Sequence, residues 1–293
     1  MGNRKKQPAM VGLIARYEEM AAAGQVRLSD VSSYRRLLAY YKRQEMYERV
    51  LEVAEFAKEE FPHRLEWHVA ACEALVHLGL PDEAIVEAET AFALGMHDAE
   101  LCRQVVWAHI ELEQHEEALA VIEEQKKYAP HPHHMAALYF LEGLVWYRLG
   151  EYASAIEAFR NSLLLHPRHE EACKYFWLTS ELTRTQDLAI DFFELVLEKD
   201  PYAARVWYCL ANLCVGAGQY DKALEAYDFA LVCNEHIEEA YLEYADLLAQ
   251  MGKHHQALRI FQEYIDHFGT SPEVLLGVAR SYFALGHLSA ARR

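Results

Sequence analysis

The chain has 293 residues, of which 53% are hydrophobic, enough to bury a large core as one domain, two domains or an elongated array. Its net charge of −17 is uneven: residues 1–43 carry nine Lys or Arg against three Asp or Glu, which leaves −23 for the other 250 residues. So acidic a body argues against nucleic-acid binding, and the short, charge-broken apolar runs argue against a transmembrane span or stable membrane association.

Six cysteines are present, and none of them belongs to a C-x-x-C pair. They fall inside helical patterns, as small buried thiols usually do, at Cys72, Cys102, Cys173, Cys209, Cys214 and Cys233. This usage predicts a reducing, intracellular setting without a disulfide framework, and we expect the protein to be cytoplasmic.

The first predicted elements are a disordered basic tail at residues 1–7 and an N-terminal capping helix with its turn over 8–30. The helix is predicted from apolar residues at helical spacing, and Gly24 supplies a stop signal. Ser29 or Asp30 can cap the next helix, because an oxygen at that position accepts a hydrogen bond from the first helical turn.

From residue 31 onward, one arrangement of residues returns every 34 residues, with one interval of 37. A small marker residue identifies each copy: Val50, Ala84, Ala118, Ala155, Ala189, Ala223, Ala257 and Ala291. Five residues before the marker, five copies have glycine: Gly79, Gly150, Gly218, Gly252 and Gly286. Twelve residues after it, four copies have proline: Pro62, Pro130, Pro167 and Pro201.

Each of these residue types has a physical reason to occur in a pair of antiparallel helices. Glycine gives the backbone freedom that ends the first helix, and alanine lets the second helix approach it closely. A large side chain four residues after the marker lies on the same helical face and fills the space beyond. Proline ends the second helix. A period of this length predicts stacked units that cannot bury their apolar faces alone.

The stretch VWYCLANLCVGAGQYDKALEAYDFAL, at residues 206–231, resembles the tetratricopeptide repeat, or TPR, in its pattern of large and small residues. The resemblance covers roughly residues 31–293 and implies an all-α fold, a right-handed α-solenoid of stacked antiparallel helix pairs. The implied repeats lie near 31–64, 65–98, 99–135, 136–169, 170–203, 204–237, 238–271 and 272–293, the last one truncated.

Three departures from the family pattern stand out. Trp177 occupies a position that is small in the family, so we expect that helix pair to be splayed or shifted. Glu113 stands where glycine is usual. The segment HPHH, His131 to His134, accompanies a three-residue insertion and predicts a bend or kink in the stack. Its histidines could bind a metal, but Pro132 and the loop position favour a plain polar insertion, so no metal site is predicted.

In the family, one face of each first helix lines a groove that binds peptides, and the same positions can be identified here. The apolar and aromatic members are Trp107, Ile110, Phe140, Leu144, Tyr147, Leu178 and Tyr208. Arg148, Lys174 and Asn212 are expected to fix the orientation of a ligand. Exposed aromatic surface of this extent usually marks a binding site, but tight stacking could instead bury these groups against neighbouring repeats.

The groove face of the first repeat differs in being basic, with Arg35, Lys42 and Arg43. This face is part of a basic N-terminal end that could dock an acidic partner or a membrane surface, or that could be an ordinary solvated face beside a disordered tail. Its other basic residues are Arg4, Lys5, Lys6, Arg27 and Arg36. Elsewhere, the family's clamp for a terminal carboxylate is incomplete, because Leu178 follows Lys174 where asparagine is required.

The sequence therefore predicts a non-enzymatic scaffold, without cofactors, that binds a peptide or helical segment of another protein. No nucleotide-binding glycine loop, nucleophile elbow or zinc-protease motif occurs in it. One alternative is the repeat region of a longer enzyme or regulator whose active domain lies beyond Arg293. A self-assembling array is a weaker alternative, and the sequence leaves the partner and the oligomeric state open.

Overall fold

The computed structural model describes residues 6–28 and 30–287, and these residues form sixteen α-helices and no strand. The chain separates into two compact units, one ending at Leu149 and the other starting at Gly150. The first unit contains α1 Lys6–Ala22, α2 Val31–Arg43, α3 Tyr47–Glu60, α4 Leu65–His77, α5 Pro81–Ala93, α6 Ala99–Glu111, α7 His115–Lys126 and α8 Pro132–Leu149. The second contains α9 Tyr152–Leu165, α10 Glu170–Leu182, α11 Gln186–Lys199, α12 Ala204–Gly216, α13 Tyr220–Cys233, α14 Glu238–Gln250, α15 His254–Phe268 and α16 Pro272–Ala284.

The all-α class and the solenoid of helix pairs are confirmed. Seven first helices begin at the predicted repeat starts, at Val31, Leu65, Ala99, Glu170, Ala204, Glu238 and Pro272. The division between the units falls inside the predicted fourth repeat, between its first helix α8 and its second helix α9.

The HPHH segment was wrongly expected to be a loop. Helix α8 begins at Pro132, four residues before the predicted start of the repeat, so His133 and His134 belong to its first turn. Proline is compatible with a first helical turn, because the backbone N–H that it lacks would have no partner within the helix. The insertion therefore lengthens α8 to 18 residues.

The turn that follows the first helix has a positive φ five residues before the marker in all eight repeats. Five of these residues are the glycines of the pattern, and the other three are Glu45, Glu113 and Arg184, with φ of 54°, 58° and 56°. The backbone hydrogen bonds are also the same in a turn with glycine and in a turn without it. Leu80 N–H donates to the Leu75 carbonyl at 2.9 Å, and Gln114 N–H donates to the His109 carbonyl at 2.8 Å. This six-to-one bond ends a helix whether or not glycine is present.

In the first unit, α1 packs against the first repeat. Tyr17 of α1 is fully buried in the same core cluster as Tyr34 of α2 and Trp67 of α4. Asp30 caps α2, and its carboxylate accepts a hydrogen bond from the Ser33 N–H at 2.9 Å. The other candidate cap, Ser29, lies outside the described residues, as does the predicted tail up to residue 5.

In the second unit, the marker alanines and the large residues that follow them form the core. The markers Ala155, Ala189, Ala223 and Ala257 are buried, and so are the residues four positions later: Phe159, Phe193, Tyr227 and Phe261. This agrees with the prediction that alanine permits the close approach and a ring fills the space beyond it. The last marker, Ala291, lies outside the described residues.

Candidate functional site

The basic face of the first repeat is paired with acidic residues of the second repeat. Arg35 donates two hydrogen bonds to the Glu66 carboxylate, from Nε at 2.7 Å and from Nη2 at 2.9 Å. Two turns further along, the Lys42 ammonium group pairs with Glu73. Arg35 and Lys42 therefore have acidic partners in the next repeat, while docking of an acidic partner protein on this face stays a prediction.

Between the first helices of the second and third repeats lies a polar pocket, which we call the Trp107 pocket. Its volume is about 490 Å³, and its lining residues are Glu73, Val76, His77, Glu100, Arg103, Gln104, Trp107 and Glu111. The partly exposed Trp107 ring lies 5.6 Å from the exposed Arg148 guanidinium group of α8, within the range of a cation–π interaction. The structure thus brings together two of the residues predicted to bind a ligand.

Three other predicted groove residues of the first unit are buried. The exposed fraction of the residue is 8% for Ile110, 1% for Phe140 and 2% for Leu144. Stacking of successive first helices removes these side chains from solvent, because their pattern positions lie toward the neighbouring helix. The alternative interpretation, structural burial, therefore holds for these three residues. They pack between helices and present no contact surface to a ligand. Tyr147 is partly buried.

The second unit has a corresponding pocket between α10 and α12, which we call the Trp177 pocket. Its volume is about 360 Å³, and it is lined by Glu170, Glu171, Lys174, Trp177, Arg205, Tyr208, Cys209 and Glu239. Arg205 lies 5.3 Å from the Tyr208 ring and is held only loosely by Glu170 at 3.5 Å and Glu239 at 3.9 Å. Lys174 is exposed, and among the described residues it has no salt-bridge partner.

Trp177 and Arg205 line this pocket, although neither was among the residues predicted to bind a ligand. The Trp177 ring meets Tyr208 edge-on, at 6.2 Å between centroids and 80° between planes. Its Nε1–H is buried and finds no hydrogen-bond acceptor among the described residues. The size of the Trp177 side chain could have indicated its role in the sequence. An indole at a position that is small in the family has no space within the helix pair and must lie outside it. Leu178, the predicted contact next to it, is partly exposed.

Two predicted ligand-binding residues of the second unit are used to hold Glu243 of α14. Tyr208 is 6% exposed, and its hydroxyl donates to Glu243 Oε1 at 2.9 Å. The Tyr227 hydroxyl lies 3.0 Å from Asn212 Oδ1 and 3.3 Å from Glu243 Oε2, so its single hydrogen is shared between them. The Asn212 amide donates to the Tyr208 carbonyl at 3.2 Å and to Glu243. Tyr208, which was predicted as an apolar contact, and Asn212, which was predicted to orient a ligand, therefore link α12, α13 and α14.

Burial dominates the electrostatics of this network. It raises the pKa of the Glu243 carboxyl above its ordinary value of 4.5, although hydrogen bonds from Asn212, Tyr208 and Tyr227 oppose the shift. Burial also raises the pKa of both tyrosines, and Glu243 adds to that rise. The phenols thus stay protonated and remain donors to the carboxylate at neutral pH.

The cysteine and histidine side chains of the described residues do not assemble into a metal centre: no group of three or more His, Cys, Asp or Glu could hold an ion there. Five of the six free cysteines are buried. Burial raises the pKa of the Cys72 thiol to about 12 and that of Cys214 to about 11, which keeps both thiols protonated at neutral pH. Within residues 6–28 and 30–287, no helix is long and apolar enough to cross a membrane.

Comparison with known proteins matches two segments of the chain to models described as tetratricopeptide repeat, at residues 136–169 and 238–281. The first of these segments is the predicted fourth repeat. Repeats of this family generally mediate protein–protein interaction, which supports a role as an interaction scaffold. No curated protein sequence matches the chain.

Several solved structures are similar to this chain. PilF of Pseudomonas aeruginosa is 17% identical, with 66% of this chain and 87% of that chain covered and a TM-score of 0.49. A thermophilic TPR protein of Thermus thermophilus is 20% identical, with 74% and 98% covered and a TM-score of 0.46. MamA from Desulfovibrio magneticus RS-1 is 22% identical, with 57% and 93% covered and a TM-score of 0.42.

Proposed function

The chain belongs to the tetratricopeptide repeat family, and from that premise we propose that it is a non-enzymatic scaffold that binds a peptide or helical segment of another protein. The binding surface is the face formed by first helices of successive repeats. In the first unit it uses Trp107, Tyr147 and Arg148. In the second unit it uses the Trp177 pocket, with Leu178 beside it on α10.

One observation supports this proposal most directly: Lys174, a cation without an ion-pair partner among the described residues, lies in an open pocket beside Trp177. An exposed charge next to partly exposed aromatic surface suits a ligand that presents an apolar side chain close to a carboxylate. Arg205 can supply a second contact, since its distances of 3.5 and 3.9 Å to Glu170 and Glu239 are long for charge-assisted hydrogen bonds.

The acidic residues around the Trp177 pocket favour selective binding over high affinity. Glu170, Glu171 and Glu239 outnumber the two cations, so a ligand gains only if its carboxylate meets Lys174 and avoids these glutamates. A ligand of the opposite kind, with a basic group placed at Lys174, is repelled. The expected partner segment is therefore short, apolar at one position and acidic at the neighbouring one.

The test is a quantitative pull-down from native cells with the wild type, Trp177→Ala and Lys174→Glu, followed by affinity measurement with the recovered protein's interacting segment. Tyr202→Ala is the matched control, because Tyr202 is an exposed aromatic residue of the same unit outside the pocket. We expect both pocket variants to lose the partner and the control to keep it, with unchanged helical circular dichroism. Equal recovery by wild type and both pocket variants would show that the assignment is wrong.

A further inference from the structure

A second concave surface of the second unit lies on the opposite side of α12, between the second helices α11 and α13. It is a groove of about 440 Å³, lined by Glu194, Leu197, Glu198, Trp207, Leu210, Lys222, Glu225, Ala226 and Phe229. None of these residues belongs to the Trp177 pocket. The groove is therefore a separate feature, and the family's peptide-binding face does not account for it.

Two stacked rings form the apolar part of this groove. The Trp207 and Phe229 rings lie 4.9 Å apart between centroids, with 24° between their planes. The Trp207 Nε1–H donates to the Pro201 carbonyl at 2.8 Å, so its polar group is already satisfied and the ring offers only apolar surface. Phe229 is 50% exposed, and Val232, one turn further along α13, is 77% exposed. A large ring stacked in place yet half exposed is typical of a binding surface.

The charge around these rings is predominantly negative. Glu194, Glu198 and Glu225 line the groove, and all three are exposed. Lys222 is the one cation among the lining residues, and it pairs with Glu194 at 2.5 Å. Among the described residues, Glu198 and Glu225 have no salt-bridge partner, so two carboxylates next to an apolar floor are left uncompensated.

We propose that this groove, which we call the Phe229 groove, docks a basic amphipathic segment of another protein. The segment places an aliphatic or aromatic side chain on the Trp207–Phe229 stack and a Lys or Arg on each side, toward Glu198 and Glu225. Charge complementarity selects this occupant, because an acidic segment would bring like charges together beside a low-dielectric floor. The proposal stands independently of the Trp177 pocket, and it gives the scaffold two faces with opposite charge preference.

The test uses the full chain and a defined probe: a fluorescein-labelled amphipathic peptide of Leu and Lys, about 16 residues or four helical turns long, measured by fluorescence polarisation. A Leu and Glu peptide of the same pattern is the charge control. We expect Phe229→Ser to weaken binding of the Leu and Lys peptide about tenfold, because the variant keeps the net charge and removes the apolar anchor. The double variant Glu198→Gln/Glu225→Gln should weaken it about fivefold and reduce its salt dependence.

Three controls keep the result interpretable. Glu157→Gln and Glu235→Gln, each the loss of an exposed carboxylate elsewhere on the unit, should leave affinity within about twofold. Trp177→Ala should also leave it unchanged, which separates this groove from the Trp177 pocket. The Glu198/Glu225 variant alters only exposed side chains, so its result does not depend on refolding of the core.

Specific outcomes overturn the proposal. Equal affinity of wild type and Phe229→Ser for the Leu and Lys peptide shows that the groove is not its site. Equal affinity of the Leu and Glu peptide removes the charge argument. A wild-type dimer in sedimentation equilibrium that Phe229→Ser converts to monomer assigns the groove to a second copy of the chain.

Discussion

The Trp107 pocket and the Trp177 pocket occupy the same place in two different units, between the first helices of successive repeats. They differ in how closely their basic residues are paired with carboxylates. Around the Trp107 pocket, Lys42 pairs with Glu73, and the Arg103 Nε lies 3.4 Å from Glu100. In the Trp177 pocket, Arg205 has only long ion pairs, and Lys174 has no salt-bridge partner among the described residues. Both pockets have a tryptophan in the wall.

This difference separates charges that connect repeats from charges that are available to a ligand. An ion pair across two helices fixes both side chains, so a ligand must break it before it can bind. A ligand that binds an exposed cation without a partner has no ion pair to break. The comparison therefore assigns Lys42 to the contact between repeats and supports our proposal that Lys174 binds the ligand, although both are lysines on the same face of a first helix.

The largest expected effect concerns the glutamates next to each pocket. Glu243→Ala removes the acceptor shared by Tyr208 and Tyr227, and we expect it to lower the free energy of unfolding by about 1–3 kcal/mol. Glu73→Ala breaks an ion pair that is partly exposed to solvent, and it should cost no more than about 1 kcal/mol. Urea denaturation followed by circular dichroism measures both, and equal losses would remove the distinction between the two pockets.

The pH dependence of stability tests the carboxyl group of Glu243. Burial raises the pKa of Glu243 in the folded protein, so above pH 4.5 the unfolded chain loses its proton first. Stability contributed by this group is therefore present at acid pH and falls as pH rises through the folded-state pKa. We expect the stability of wild type relative to Glu243→Gln to decrease as pH rises from 4.5. Urea midpoints at a series of pH values check this, and parallel curves would contradict it.

A smaller effect is expected at the turns that lack glycine. Glu113→Gly in the first unit and Arg184→Gly in the second relieve a positive φ that side chains disfavour. Each should raise the free energy of unfolding by about 0.5–1 kcal/mol, since glycine's greater freedom in the unfolded chain offsets part of the gain. Glu113→Ala is the control, because it removes the charge and keeps the strain. An equal gain from alanine would point to charge instead of backbone conformation.

The smallest expected change in the free energy of unfolding distinguishes Lys42 from Lys174. Lys42→Ala should lower the free energy of unfolding by about 0.2–1 kcal/mol, because Glu73 loses its partner. Lys174→Ala should leave stability unchanged while it weakens binding of the partner segment. Thermal unfolding and an affinity measurement on both variants make the comparison. A loss of stability from Lys174→Ala would mean that this lysine holds the repeats together after all.

Helix boundaries and turns were predictable, because they depend on residues close in sequence. The marker alanine, the residue five positions before it and the proline twelve positions after it placed seven first helices at their observed starts. The failure at Pro132 has the same origin: the three-residue insertion was interpreted as a loop, although proline in the first turn also permits a helix.

The accessible surface was less predictable, because it depends on residues more than thirty positions away. By itself, the sequence determined that Phe140, Tyr208, Asn212 and Lys174 share one face of their repeats. Only the tertiary structure decided that Phe140 is enclosed, that Tyr208 is taken up by Glu243, and that Lys174 stays exposed. The physical reason is that helix formation is encoded locally by backbone and side-chain preference, whereas burial and ion pairing are settled only when another repeat packs against the face.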